Sequence, residues 1–164
     1  MSSPADVEKY LNDPELAISH LPALFAFLEE TQPEVSDYAV EALENCGPPR
    51  PESLPFLCDQ CTPEKGLGSY WACTLLGRAI EAGEGTAQVF EVLCRVIETR
   101  EFDLATRERA VLAFTHDAAL AHATASDGAT RKLLESQLPG ATPRMVRLIE
   151  SVLNKWNGIE STGI

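Results

Sequence analysis

Residues 69–80, Ser-Tyr-Trp-Ala-Cys-Thr-Leu-Leu-Gly-Arg-Ala-Ile, are apolar on nearly every side of a helical projection. A helix of that kind needs neighbours on both flanks to keep its surface from water. Trp71 and Leu75 fall on one side and Ala72, Leu76 and Ala79 on the other, which leaves Ser69, Thr74, Gly77 and Arg78 as the positions suited to solvent. The spacing therefore predicts a stack of helices with this one at its centre.

The rest of the chain repeats the helical signal. Ser3-Pro4 followed by Asp6 reads as an N-cap, a first-turn proline and a capping-box acid, with Val7, Tyr10 and Leu11 on one face. Asp13-Pro14 is a second start, and Leu21-Pro22 a third, after which Leu24, Phe25 and Leu28 recur at helical spacing. His20 sits at that junction. Val35, Tyr38, Ala39, Ala42, Leu43 and Cys46 make the cleanest stripe, closed by Gly47. Helices are predicted from Ser53 to Cys61, along Val89, Val92, Leu93, Val96 and Ile97, and from an Asp103 or Thr106 cap through Ala110, Val111 and Phe114 and on towards Ala125. Ser126-Asp127-Gly128 opens a helix carrying Leu133, Leu134 and Leu138; Thr142-Pro143 opens the last, with Met145, Leu148, Ile149, Val152, Leu153 and Trp156 on its stripe. No run of alternating β-branched residues occurs, so the expected class is all-α. The expected organisation is a single domain over residues 1–156 and a flexible tail over 157–164.

These helices resemble one another. Ala39-Val40-Glu41-Ala42-Leu43, Ala72-Cys73-Thr74-Leu75-Leu76 and Ala110-Val111-Leu112-Ala113-Phe114 share an apolar register at separations of 33 and 38 residues. Leu21-Pro22-Ala23-Leu24, Leu54-Pro55-Phe56-Leu57 and Phe90-Glu91-Val92-Leu93 do the same at 33 and 36. A recurring helix pair of that length is the mark of an α-solenoid. On the Tyr-Ala-Val-Glu-Ala-Leu and Tyr-Trp-Ala-Cys-Thr-Leu-Leu-Gly helices, each followed by a helix with an early proline or a Leu-x-x-Leu stripe, the chain resembles the HEAT-repeat proteins, especially small bacterial ones with phycobilisome-lyase-type repeats. The resemblance covers about residues 14–156 and implies a right-handed α-α superhelix of about four helix pairs. An irregular helical bundle is the alternative fold.

Little in the sequence points to catalysis. Cys58 and Cys61 form a C-x-x-C flanked by Cys46 and Cys73, but they share a helical stripe with Leu54 and Leu57, which favours packing over zinc. With Cys94 the five cysteines read as buried thiols. His116 and His122 lie six apart, on different helix faces, unlike a metal-binding i, i+4 pair. No nucleophile, base and orienting group are brought together by the pattern. The expectation is no catalytic, metal or cofactor site; the lyase-type resemblance alone implies the alternative of a small-molecule or tetrapyrrole-handling enzyme.

Charge points to a class of partner. Residues 1–99 carry 17 Asp and Glu against 5 Lys and Arg, whereas residues 100–164 carry 8 against 8, so the whole formal net charge of −12 lies in the first part. Such a surface repels phosphate backbones, which argues against DNA or RNA, and suits a basic protein surface. No apolar run approaches the roughly 20 residues of a membrane span, and the opening Met-Ser-Ser-Pro-Ala-Asp-Val-Glu lacks the parts of a secretory signal; the expected location is the cytoplasm. If the second helices of successive units line a concave face, Glu29, Glu30, Glu52, Phe56, Asp59, Glu91 and Arg95 point away from the core as an acidic surface with one aromatic anchor. The expected function is a non-catalytic protein-binding module, with Phe56 packing on a neighbouring helix as the bland alternative. Arg131, Lys132, Arg144, Arg147 and Lys155 gather near the C-terminal end and read as balancing local acids.

Overall fold

The computed structural model describes residues 2–116, 119 and 128–161. Among these the chain forms ten α-helices and no strand: α1 (Pro4–Glu8), α2 (Pro14–Ser19), α3 (Leu21–Leu28), α4 (Pro33–Asn45), α5 (Leu54–Gln60), α6 (Leu67–Glu81), α7 (Ala87–Glu98), α8 (Leu104–Ala113), α9 (Ala129–Ser136) and α10 (Pro143–Ser161). Short 3-10 turns at Pro51–Ser53 and Pro63–Lys65 lead into α5 and α6. The predicted continuation from Ala118 to Ala125, and with it His122, Ser126 and Asp127, lies outside the described residues apart from Ala119.

Proline and capping side chains set the starts. Pro4, Pro14, Pro22, Pro33 and Pro55 all occupy first-turn positions, where the missing N–H costs nothing. Asp13 accepts from the Leu16 N–H at 3.0 Å, Thr86 from Val89 at 3.3 Å and Asp103 from Thr106 at 2.8 Å. Asp103 is thus the cap of α8, and Thr106 is buried inside it. At the other end of α4, Gly47 takes a φ of +77°, a left-handed conformation open to glycine at little cost. His20 closes α2 and opens α3, with its Nδ1 2.9 Å from the Leu16 carbonyl.

Among helices consecutive in the chain, α3 packs closely on α4, α5 on α6 and α7 on α8, and α9 touches α10 more lightly; the most extensive contact of all joins α6 and α8. Beyond the pairs, α5 packs on α7 and α7 on α9, while α6 packs on α8 and α8 on α10; α1 and α2 lie against α4. The sequence-based frame took α5 and α7 as the second helices of their units, after α4 and α6; in the structure α5 instead packs on the α6 that follows it and α7 on the α8 that follows it.

The central helix is covered as expected. Trp71, Ala72, Cys73, Leu75, Leu76, Ala79 and Ile80 are all buried, and burial of each large aliphatic side chain contributes about 1.5–3 kcal/mol. Two of its supposed solvent positions are not on the surface. Ser69 is buried because its hydroxyl reaches the carbonyls of Gln60 and Thr62 at the end of α5. Gly77 is buried because α8 comes close there: a Cβ built on it would lie 3.4 Å from the Ala113 Cβ. Thr74 and Arg78 remain half-exposed.

Cations tie neighbouring helices together at helix ends. Arg78 on α6 donates to the Leu43 and Glu44 carbonyls in the last turn of α4, at 2.8 and 3.1 Å. Lys155 on α10 donates to the Thr115 carbonyl just beyond α8 at 2.5 Å, and Arg107 on α8 to the Ile97 carbonyl of α7 at 3.1 Å. Each places positive charge where the helix dipole is negative and orphan carbonyls need donors. The last helix runs past the end of its apolar stripe at Trp156, and Asn157 accepts from Arg131 at 2.7 Å.

Candidate functional site

The acidic residues singled out from sequence lie along the α3, α5 and α7 side. Glu52, Asp59, Glu91 and Arg95 are exposed, Glu30 is half-buried, and Glu29 is exposed but pairs with Lys65 at 3.2 Å. Asp59 and Arg95 act with opposite sign on the Cys58 thiol, so both lie near it. Phe56 is half-buried, with its ring edge-on to Phe25 at a centroid distance of 5.5 Å. It lines a shallow recess of about 150 Å³ with Phe25, Glu29 and Lys65. The aromatic is used between α3 and α5, the arrangement named above as its bland alternative.

The larger concavities lie on the opposite helix layer. A cleft of about 260 Å³ opens between α6 and α8, lined by Thr74, Gly77, Arg78, Glu81, Leu112 and His116 among others. A second, of about 320 Å³, opens between α8 and α10, lined by Tyr70, Glu108, Arg109, Leu112, Arg144 and Leu148. Arg109 and Leu112 line both, so the two clefts adjoin across one ridge on α8. Leu112 is 37% exposed, a large apolar side chain outside the stripe of Ala110, Val111 and Phe114 that faces the core.

The ridge is rigidly built. The Arg109 guanidinium lies over the Tyr70 ring at 5.1 Å while its Nε donates to the Tyr70 hydroxyl at 2.9 Å. Stacking and hydrogen bonding to one ring restrict a side chain that otherwise carries much rotamer freedom. Arg144 pairs through Nε with Glu108 at 2.7 Å and keeps 69% of its side chain exposed. Sequence reading missed this face. The available signal was Leu112, an apolar residue facing away from its helix's core stripe.

Three of the thiols are packed together in the core around α5 and α6. Cys61 and Cys73 approach to 3.9 Å between sulfurs, and both are buried. The contact with Cys61 and burial hold the Cys73 thiol well above its usual range, and burial with the nearby Cys61 pushes Cys58 to about 11. Neutral thiols of this kind are poor nucleophiles. Cys73, His116 and Glu81 all border the first cleft, yet among the described residues no hydrogen bond joins any two of them, and no three His, Cys, Asp or Glu side chains are grouped so as to hold a metal ion. No described helix is long and apolar enough to cross a membrane. Comparison of the chain with protein-family models, with curated proteins and with solved structures finds no match.

Proposed function

We propose that the chain is a non-catalytic protein-binding module, built as a HEAT-like right-handed solenoid whose second helices are α4, α6, α8 and α10. The observation that carries the reading is the pair of adjoining clefts across α6, α8 and α10, bridged by Arg109 and the exposed Leu112. Arginine and tyrosine are among the residue types enriched in interaction hot spots, and Arg109 and Tyr70 stand together on this ridge beside Leu112. The solenoid is supported by α5 packing on α7 and α7 on α9, by α6 packing on α8 and α8 on α10, and by cations of α6 and α10 meeting the C-terminal ends of α4 and α8. Stacks of this kind expose long continuous surfaces suited to a partner chain.

The reading differs from the sequence expectation in which layer binds. Phe56, the expected anchor on the acidic side, is packed on Phe25. Glu52, Asp59 and Glu91 then serve as a solvated acidic surface that keeps the protein away from zero charge.

Affinity capture from a lysate of the source organism tests this when run with three proteins in parallel: the natural chain, Leu112→Asp, and a Glu52→Lys, Asp59→Lys, Glu91→Lys triple variant. A partner kept by the natural chain and the triple variant but lost by Leu112→Asp supports the α6–α8–α10 face, provided the melting curves match. A partner with the reverse pattern moves the site to the acidic side and restores the basic-partner expectation. The second reading, a small-molecule or tetrapyrrole-handling enzyme, draws on the His116, Glu81 and Cys73 lining of the first cleft. It requires a non-covalent ligand mass or a visible absorption band in the purified protein.

A further inference from the structure

We propose that the occupant of the α6–α8–α10 face is an acidic peptide segment with interspersed large aliphatic side chains. The inference rests on the binding-module reading and adds to it the chemistry of the partner. Its basis is a local reversal of charge. The chain as a whole carries a formal net charge of −12, yet three successive even helices each bring an arginine to the two clefts: Arg78, Arg109 and Arg144. Glu81 and Glu108 are the acidic side chains lining the same clefts, and Glu108 is already paired with Arg144. The lining of the two clefts therefore holds three arginines against two carboxylates, in contrast to the α5–α7 side, where Glu52, Asp59 and Glu91 stand exposed with Arg95.

Geometry limits what that charge recognises. Arg109 is held on Tyr70 at the ridge between the clefts, so its fork is fixed before any partner arrives and little side-chain entropy is lost on binding a carboxylate. Beside it, Leu112 and the half-buried Leu148 give an apolar floor with room of about 260 and 320 Å³ on either side. Those volumes take side chains, one or two in each cleft, and not the width of a nucleic-acid duplex. A segment laid across the ridge would place a carboxylate on Arg109 and aliphatic side chains on Leu112 and Leu148. A basic segment would meet Arg78, Arg109 and Arg144 with like charge, which costs affinity and slows encounter.

The test is fluorescence anisotropy with the full chain and three fluorescein-labelled dodecapeptides of one pattern, built from Leu with Glu, Gln or Lys. The Glu peptide is expected to bind most tightly, to weaken as salt is raised, and to lose about tenfold in affinity with Arg109→Ala, the size of one charge-assisted hydrogen bond. Because Arg109 packs on Tyr70, the exposed Arg144→Gln is measured beside it and is expected to weaken the same peptide by about threefold at unchanged melting temperature. Preference for the Lys peptide, with binding still lost in Leu112→Asp, overturns the acidic occupant and leaves the module reading standing. Binding of the Glu peptide that neither arginine variant alters also overturns it. If no peptide binds, the inference fails; the module reading is then decided separately by the lysate capture.

Discussion

The two helix layers use the same kind of residue in opposite ways. On the α3–α5–α7 side, the large aromatics turn inward, Phe56 against Phe25 and Phe90 against Phe114, and what is left outside is mostly carboxylate. On the α6–α8–α10 side, Tyr70 stays half-exposed under Arg109 and Leu112 stands out between two clefts. Both layers pack on the same core. The difference is one of kind: the first side offers exposed carboxylates, and the second offers two clefts, an exposed leucine and an arginine held on a tyrosine ring.

The strongest perturbation should affect both layers alike. Trp71 is buried in the central helix and its ring meets that of Tyr70 at 5.5 Å. Trp71→Ala is expected to cost about 3–5 kcal/mol in chemical denaturation; a loss under about 1 kcal/mol would mean that α6 does not hold the layers together. Phe56→Ala separates the layers. With a half-buried ring in an edge-on pair, it is expected to cost about 1.5–3 kcal/mol while leaving peptide binding on the opposite face intact. Unchanged stability with lost partner capture would return the anchor to the acidic side.

Arg78 spans both roles, since it lines a cleft and holds the end of α4. Arg78→Ala is expected to destabilise by about 1–2 kcal/mol through the lost carbonyl contacts, with urea unfolding as the readout. Alkaline titration probes the α5 side. Burial and Cys61 raise the folded Cys58 thiol from its ordinary 9.0 to about 11. The neutral thiol is favoured by folding, so this contribution is complete below pH 9 and is lost as pH rises from about 9 towards 11. Cys58→Ala should flatten that part of the stability profile; an identical slope would show that Cys58 is not the group responsible. The smallest effect belongs to the acidic surface itself. Glu52→Lys, Asp59→Lys and Glu91→Lys should each change stability by under about 0.5 kcal/mol.

Helix existence was legible wherever proline or a capping side chain met a regular stripe. Val35 to Cys46 and Val89 to Ile97 are as periodic in burial as in sequence, and the prolines mark the starts because only the first turn tolerates them. Ser69 and Gly77 were misplaced because residue type alone suggested solvent. One is buried by a long-range hydrogen bond to the end of α5 and the other by the close approach of Ala113, and neither partner is local in sequence. The frame of the helix pairs was hidden for a related reason: a stripe says that a helix has a buried face, not which neighbour covers it. The expected site was drawn on the α3–α5–α7 side, and the face proposed above lies on α6, α8 and α10. Leu112 was visible as an off-stripe leucine, but its meaning depends on Arg109, Tyr70 and Arg144, which come from three helices.

The most direct measurement is a backbone amide chemical-shift map of the full chain titrated with the Glu and Leu dodecapeptide. Shifts concentrated at Tyr70, Thr74, Arg109, Leu112 and Leu148, with Glu52, Asp59 and Glu91 unmoved, are the expected result. Shifts concentrated at those three acidic positions and Phe56, with the ridge on α8 silent, would contradict the assignment of binding to the α6–α8–α10 face.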